Sequence, residues 1–130
     1  MLNIIGRDDG EEKSLLNLRK KLNLEKNVHF LGFQSNPYRF FYFSDLFVLS
    51  SRREGLPNAV LENLYLKKPI VATQCIPYLS TLINHGKNGY IVPTENPKSL
   101  ASAILNFENL TEQGFRKKHQ PTNPNIYFKK

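Results

Sequence analysis

From Leu46 to Leu49 the chain reads Leu-Phe-Val-Leu, four apolar residues without polar alternation, set between Asp45 and Ser50. A strand with one face in water alternates; this one needs cover on both faces, as an internal strand of a parallel sheet has. Leu2-Asn3-Ile4-Ile5-Gly6, Val28-His29-Phe30-Leu31-Gly32, Pro69-Ile70-Val71-Ala72-Thr73 and Tyr90-Ile91-Val92 are further short strand-like runs. Segments of helical character separate them. The first, roughly 11–22, carries Leu15, Leu18 and Leu22 on one side, with Glu11 and Glu12 at its start and Arg19, Lys20 and Lys21 at its end, as the helix dipole favours. Others are expected over 37–43, 57–66, 77–84 and 97–107. Strands alternating with helices imply an α/β fold, an open parallel sheet with helices on both faces.

A chain of 130 residues holds one domain and one modest core. Periodicity stops near residue 110, and Gln120 to Asn125 carries two prolines and two asparagines. The expected division is a folded domain over 1–109 and a basic, loosely ordered extension over 110–130. The net charge of +7 sits mainly in that extension: residues 116–130 hold five Lys/Arg and no acid, whereas the first 115 hold 13 basic and 11 acidic side chains. A nucleic-acid-binding domain is thus the weakest of the function classes considered, and a weak membrane-surface contact through Arg116-Lys117-Lys118 or Lys129-Lys130 is a secondary expectation. No run approaches the ~20 apolar residues of a membrane span, and no basic-then-apolar signal segment opens the chain. The expected location is the cytoplasm, with contact at the inner face of the membrane as its variant. Cys75 is the lone cysteine, and His29, His85 and His119 lack ligand spacing, so no metal site is expected.

Glu54 and Glu62 bracket the run Gly55-Leu56-Pro57-Asn58-Ala59-Val60-Leu61. The first acid stands in a Gly/Pro turn after the apolar strand, and the second lies about a turn and a half into a helix that Pro57 is suited to open. Ligands of open parallel sheets bind beyond the carboxyl ends of the strands, where Gly6, Gly32, Ser50 to Glu54 and Thr73 to Cys75 all fall. Carboxylates accept hydrogen bonds from sugar hydroxyls, and a helix N-terminus between them attracts an anion. A carbohydrate joined to a phosphate suits the pair.

Ser51-Arg52-Arg53-Glu54-Gly55-Leu56-Pro57-Asn58-Ala59-Val60-Leu61-Glu62 resembles the E-x7-E signature of retaining GT-B glycosyltransferases of the group 1 family (family 4). Ile5-Gly6, Val28 to Phe33, Asp45 to Ser50, Lys68 to Thr73 and Asn88 to Pro93 match that family's other landmarks in order and spacing, over about residues 2–107. The resemblance implies a Rossmann-like, donor-binding C-terminal half of a GT-B fold, which binds a nucleoside-diphosphate sugar as substrate and uses no cofactor and usually no metal. It implies that Glu54, the catalytic candidate, contacts the donor sugar near the reacting carbon and that Glu62 binds the ribose hydroxyls. Backbone N–H groups around Gly55, Leu56, Pro57 and Asn58 and at the helix start, with Leu61 beside them, would face sugar and diphosphate. Gly6 would let the chain approach the nucleotide, and Leu31-Gly32 would lie beside the base.

The family's acceptor domain and an Arg/Lys pair belong to segments upstream of the strand that begins here at Leu2. The chain is therefore expected to resemble the latter half of an enzyme, to be inactive alone, and to need a separately encoded acceptor domain as partner. Tyr78 stands near a glycine of the family's pattern, Thr81 near an acid, and Asn63 replaces a small residue. Those departures weigh against tight donor binding, while the missing Arg/Lys pair, the exposed former domain face and the unpatterned tail favour the alternative of a non-catalytic remnant or split-gene fragment that at most binds nucleotide-sugar. The aromatic cluster from Tyr38 to Phe43 is read as core packing rather than base stacking, and Gly89 as a turn former.

Overall fold

A computed structural model describes residues 1–110 and 126–129. Strand β1 (Leu2–Ile5) is followed by helix α1 (Glu12–Lys21), β2 (Val28–Gly32), α2 (Tyr38–Phe43) and β3 (Leu46–Leu49). Then come α3 (Asn58–Tyr65), β4 (Ile70–Thr73), α4 (Leu79–Leu82), β5 (Gly89–Val92) and α5 (Pro97–Leu105), with a single 3-10 turn at Phe107–Asn109. The strand-helix alternation read from the sequence holds, with boundaries moved inward by one or two residues at most ends.

All strands run parallel in one sheet of order β2-β1-β6-β3-β4-β5, where β6 is Ile126–Lys129. This corrects part of the expectation for the tail. Its last described residues pair on both sides, Tyr127 standing between Asn3 of β1 and Phe47 of β3. Residues 111–125 and 130, the rest of the expected extension beyond Leu110, lie outside the described residues. The signal was faint because Ile126-Tyr127-Phe128 is short and follows a Pro/Asn-rich stretch. Its partners come from the other end and the middle of the chain, and no local period records such pairing.

The core lies on both faces of β3 and β4, as the non-alternating runs require. On one face Phe47 and Leu49 of β3 and Ile70 and Ala72 of β4 pack under Phe41 of α2, Ala59 and Val60 of α3 and Leu79 of α4. On the other, Leu46, Val48 and Val71 pack under Ala103 of α5, with Leu100 and Ile104 alongside. Burying a Leu, Val, Ile or Phe side chain contributes ~1.5–3 kcal/mol relative to exposure, so these two inner strands hold the sheet together. Helix α1 is bound more loosely: none of its residues is buried, and Leu18 and Leu22 remain about half exposed.

The chain turns one way from β1 to β2 and the other way from β3 through β4 to β5, so the topological switch point lies between β1 and β3. Strand β6 fills that position. Crevices for ligands open beyond the carboxyl ends of strands at such a point, and Gly6 and the loop after Leu49 flank it.

Candidate functional site

Thr73 ends β4 and ties the neighbouring strand's exit in place. Its hydroxyl donates to the Ser51 carbonyl at 2.5 Å and reaches the Leu49 carbonyl at 3.4 Å. Ser51 in turn donates from Oγ to Glu54 Oε1 at 2.6 Å. A relay of two hydroxyls therefore carries the rigidity of the core strands to a half-buried carboxylate. The buried Cys75 thiol lies close enough to sense that charge. Burial pushes its pKa up, its own backbone hydrogen bond opposes the rise, the Glu54 charge adds to it, and the Thr73 hydroxyl opposes it again.

After Glu54 the loop passes Gly55 and Leu56 into Pro57, which is fully buried. Pro57 caps α3 from outside rather than standing in its first turn, a one-residue correction to the expected helix start. Ala59, Val60 and Asn63 turn to the core. Glu62 is thereby left at the helix flank, half-buried, where its Oε1 accepts from the Tyr38 hydroxyl at 3.2 Å. The Glu62 charge and this bond hold the Tyr38 phenol above its ordinary pKa. At the helix mouth the amide of Asn58 donates to the Leu56 carbonyl, and those of Val60 and Leu61 donate to Pro57. Leu56 and Leu61 are exposed on this side.

Gly55 has room around it. A Cβ built there would meet no atom within 4 Å, and its φ is not positive. Neither backbone conformation nor packing explains the glycine, which leaves open space beside the loop. Across it, the Tyr78 hydroxyl donates to the Gly55 carbonyl at 2.7 Å.

Gly6 and Gly32 form the second half of the edge. The Gly6 amide donates to the Gly32 carbonyl at 3.1 Å. Register slips between Ile4 and Ile5, which pair with Phe30 and Gly32, so Leu31 is the extra residue of a bulge. Gly32 has φ +65°, a left-handed conformation that a side chain would strain. Leu31 is half-buried, and its carbonyl accepts from Gln34 Nε2 at 2.7 Å. The site residues thus fall into two groups: Gly6, Leu31 and Gly32 on one side, Glu54 to Glu62 on the other. Strand β6 lies between β1 and β3, so the groups are about 10 Å apart, two strand spacings.

Sequence reasoning missed two features nearby. Lys68, to which sequence reasoning assigns no role of its own, is buried, and its Nζ donates to the Tyr42 and Ser44 carbonyls at 2.6 and 2.7 Å. A lysine directly before a Pro-led apolar strand was the available signal. Gly89 begins β5 rather than forming a turn, and it is buried. The aromatic cluster divides: Phe41 is core, whereas Tyr38 and Phe43 are exposed. A separate open concavity of about 380 Å³, lined by residues including His85, Tyr90, Ser99 and Asn106, lies on the α5 side of the sheet, away from both glutamates. Among the described residues no three His, Cys, Asp or Glu side chains gather as a metal site would need, and no helix is long and apolar enough to cross a membrane.

Comparison with known proteins bears on this arrangement. Residues 1–123 match the family model described as glycosyl transferases group 1. An uncharacterized glycosyltransferase of Haemophilus influenzae is 35% identical over 104 residues, 79% of this chain and 29% of that protein. The Campylobacter jejuni N-acetylgalactosamine-N,N'-diacetylbacillosaminyl-diphospho-undecaprenol 4-alpha-N-acetylgalactosaminyltransferase is 34% identical over 90 residues, 69% of this chain and 25% of its own. Anabaena HepE, solved in complex with UDP and glucose, superposes with a TM-score of 0.70 at 28% identity, covering 78% of this chain and 29% of that one. The lipopolysaccharide outer core galactosyltransferase WaaB in its apo form shares the fold, with a TM-score of 0.75 at 22% identity over 87% of this chain and 33% of its own. The chain spans less than a third of the length of these relatives. With its parallel Rossmann-like sheet and its ordered motifs, it belongs to the group 1 family of glycosyl transferases.

Proposed function

We propose that this chain is the nucleotide-sugar-binding half of a retaining glycosyltransferase, which acts with an acceptor-binding domain to move a sugar from a nucleoside diphosphate to a carbohydrate or lipid-linked acceptor. The observation that carries the reading is that Glu54 and Glu62, one before and one within the helix that follows β3, are each already held by a hydroxyl donor. Carboxylates oriented in this way receive a polyol without first losing side-chain freedom. In support, HepE has been solved with UDP and glucose, and the Campylobacter relative is named for transfer to a diphospho-undecaprenol-linked sugar.

In this reading Glu54 hydrogen-bonds donor-sugar hydroxyls beside the reacting carbon and Glu62 accepts from the ribose diol. The loop from Gly55 to Asn58 faces sugar and diphosphate, with the Gly55 and Leu56 amides as its donors and Leu61 alongside; Pro57 has no N–H, and the Asn58 amide is held by the Leu56 carbonyl. The nucleotide crosses the switch point to Gly6, and its base rests by Leu31-Gly32. Arg7, next to Gly6, and Arg52-Arg53, next to Glu54, are the nearest cations in sequence to offset diphosphate charge, although Arg7 lies over the Phe33 ring at 4.7 Å and Arg52 is paired to Glu95 at 3.2 Å on the surface. The helix mouth adds only about 0.3–1 kcal/mol at an exposed site.

The test is a titration of UDP and UDP-glucose into the intact chain and two variants. Glu62→Gln is expected to weaken both ligands. Glu54→Gln is expected to weaken UDP-glucose more than UDP, because deleting the sugar's acceptor leaves the nucleotide contacts intact. Equal affinity of the Glu62 variant and the parent would remove the ribose role, and an equal loss for both ligands would remove the sugar-facing role of Glu54. A second reading, a chain that binds donor weakly and does not transfer, is favoured by one observation: Tyr78 is bonded across the loop at Gly55.

A further inference from the structure

We infer that Tyr38 is a positioning residue for the nucleotide, holding the Glu62 carboxylate in the orientation that receives a vicinal diol. The inference rests on the nucleotide-sugar reading above and adds a residue from a different element, the start of α2. The distance from Tyr38 Oη to Glu62 Oε1 is 3.2 Å, and the phenol is the donor.

What makes Tyr38 more than a chance surface contact is how it is anchored. Its backbone amide donates to Asn36 Oδ1 at 3.2 Å, an Asx turn that sets the start of α2. Its ring meets Phe41 edge-on, with centroids 6.4 Å apart at 75°. Phe41 is buried and meets Phe47 of β3 in the same way, at 5.5 Å and 74°. A ladder of three rings therefore runs from the central sheet to a half-exposed hydroxyl. Glu62, by contrast, sits on a helix flank, and a glutamate there is free to sample several rotamers.

Stoichiometry permits both partners at once. An ionised carboxylate offers about four lone-pair sites on two oxygens. Tyr38 uses one site on Oε1, and a diol needs two of the remainder. Tyr38 is thus an orienting donor rather than a competitor. Its phenol stays protonated through neutral pH, since the neighbouring negative charge disfavours ionisation.

Tyr38→Phe keeps the ring ladder and deletes only the hydroxyl, so thermal stability should hold. The probes are UDP and its 2′,3′-dideoxy analogue, titrated into the parent, Tyr38→Phe, Glu62→Gln and the double variant. The parent is expected to prefer UDP. Tyr38→Phe should weaken UDP by about three- to tenfold, the size of one hydrogen bond's net effect, while leaving the dideoxy analogue unchanged. In the Glu62→Gln background the same change should have a smaller effect, because the amide oxygen still accepts from the hydroxyl but carries no charge. A parent that prefers UDP, with Tyr38→Phe retaining the full preference or losing both ligands equally, would overturn the positioning role alone. A parent that binds the two nucleotides equally, or binds neither, would overturn the ribose role of Glu62 and the inference together.

Discussion

The Tyr78 hydroxyl donates to the Gly55 carbonyl oxygen at 2.7 Å, fastening the chain that follows β4 to the loop that follows β3. The bond ends on the residue after Glu54, beside the space proposed for sugar and diphosphate. A bound donor must share that space with the phenol. Tyr78→Gly is expected to tighten UDP-glucose by about threefold or more, the effect of releasing one exposed hydrogen bond and its ring. Isothermal titration measures it, and weaker binding would make Tyr78 part of the donor site instead of its obstruction.

Gly89 is held by packing rather than by backbone conformation. A Cβ at this position would fall against the Ile70 carbonyl oxygen and 2.8 Å from Ile83 Cγ2. Strands β4 and β5 pair there, Ile70 opposite Gly89, so neither can retreat without breaking the ladder. Gly89→Ala should cost about 1–3 kcal/mol, the usual range for overpacking. Urea denaturation would read this as a lower midpoint at unchanged slope, whereas an unaltered midpoint would restore the turn reading.

Cys75 couples a measurable reactivity to Glu54. Its thiol pKa is raised first by burial and further by the Glu54 charge, so little thiolate exists at pH 8 and alkylation should be slow. Glu54→Gln removes the repelling charge, lowers the thiol pKa and should speed alkylation by iodoacetamide. The sign for stability follows from the same shift. With the folded value above the unfolded one, the neutral thiol's contribution is complete below the ordinary pKa of about 8.5 and is lost as pH rises through the folded value. Cys75→Ala should therefore flatten the alkaline fall in melting temperature. No change in either alkylation rate or alkaline profile would separate Cys75 from Glu54.

Strand β6 pairs with β1 and β3 at once, so its amides belong to a central ladder. Tyr127→Pro deletes one of those donors and should destabilise the fold by about 2–3 kcal/mol. Far-ultraviolet circular dichroism during heating is the measurement. An unshifted transition would show that the domain is complete without its final strand.

The sequence by itself determined the strands and helices up to Leu105. Each of those depends on neighbours within a few positions: non-alternating apolar runs, charges matched to helix ends, glycines at strand ends. What only the tertiary structure decided are pairings between residues far apart in the chain. Ile126–Lys129 entered the middle of the sheet because β1 and β3 both have ladder groups to satisfy there. Lys68 was drawn inward by two carbonyls at the end of α2, and Gly89 was forced by a carbonyl on β4. Tyr38 and Tyr78 reached Glu62 and Gly55 across 24 and 23 positions. Helical and strand periods repeat every few residues, so contacts over such separations leave no trace in local pattern and arise only when the packed layers bring them together.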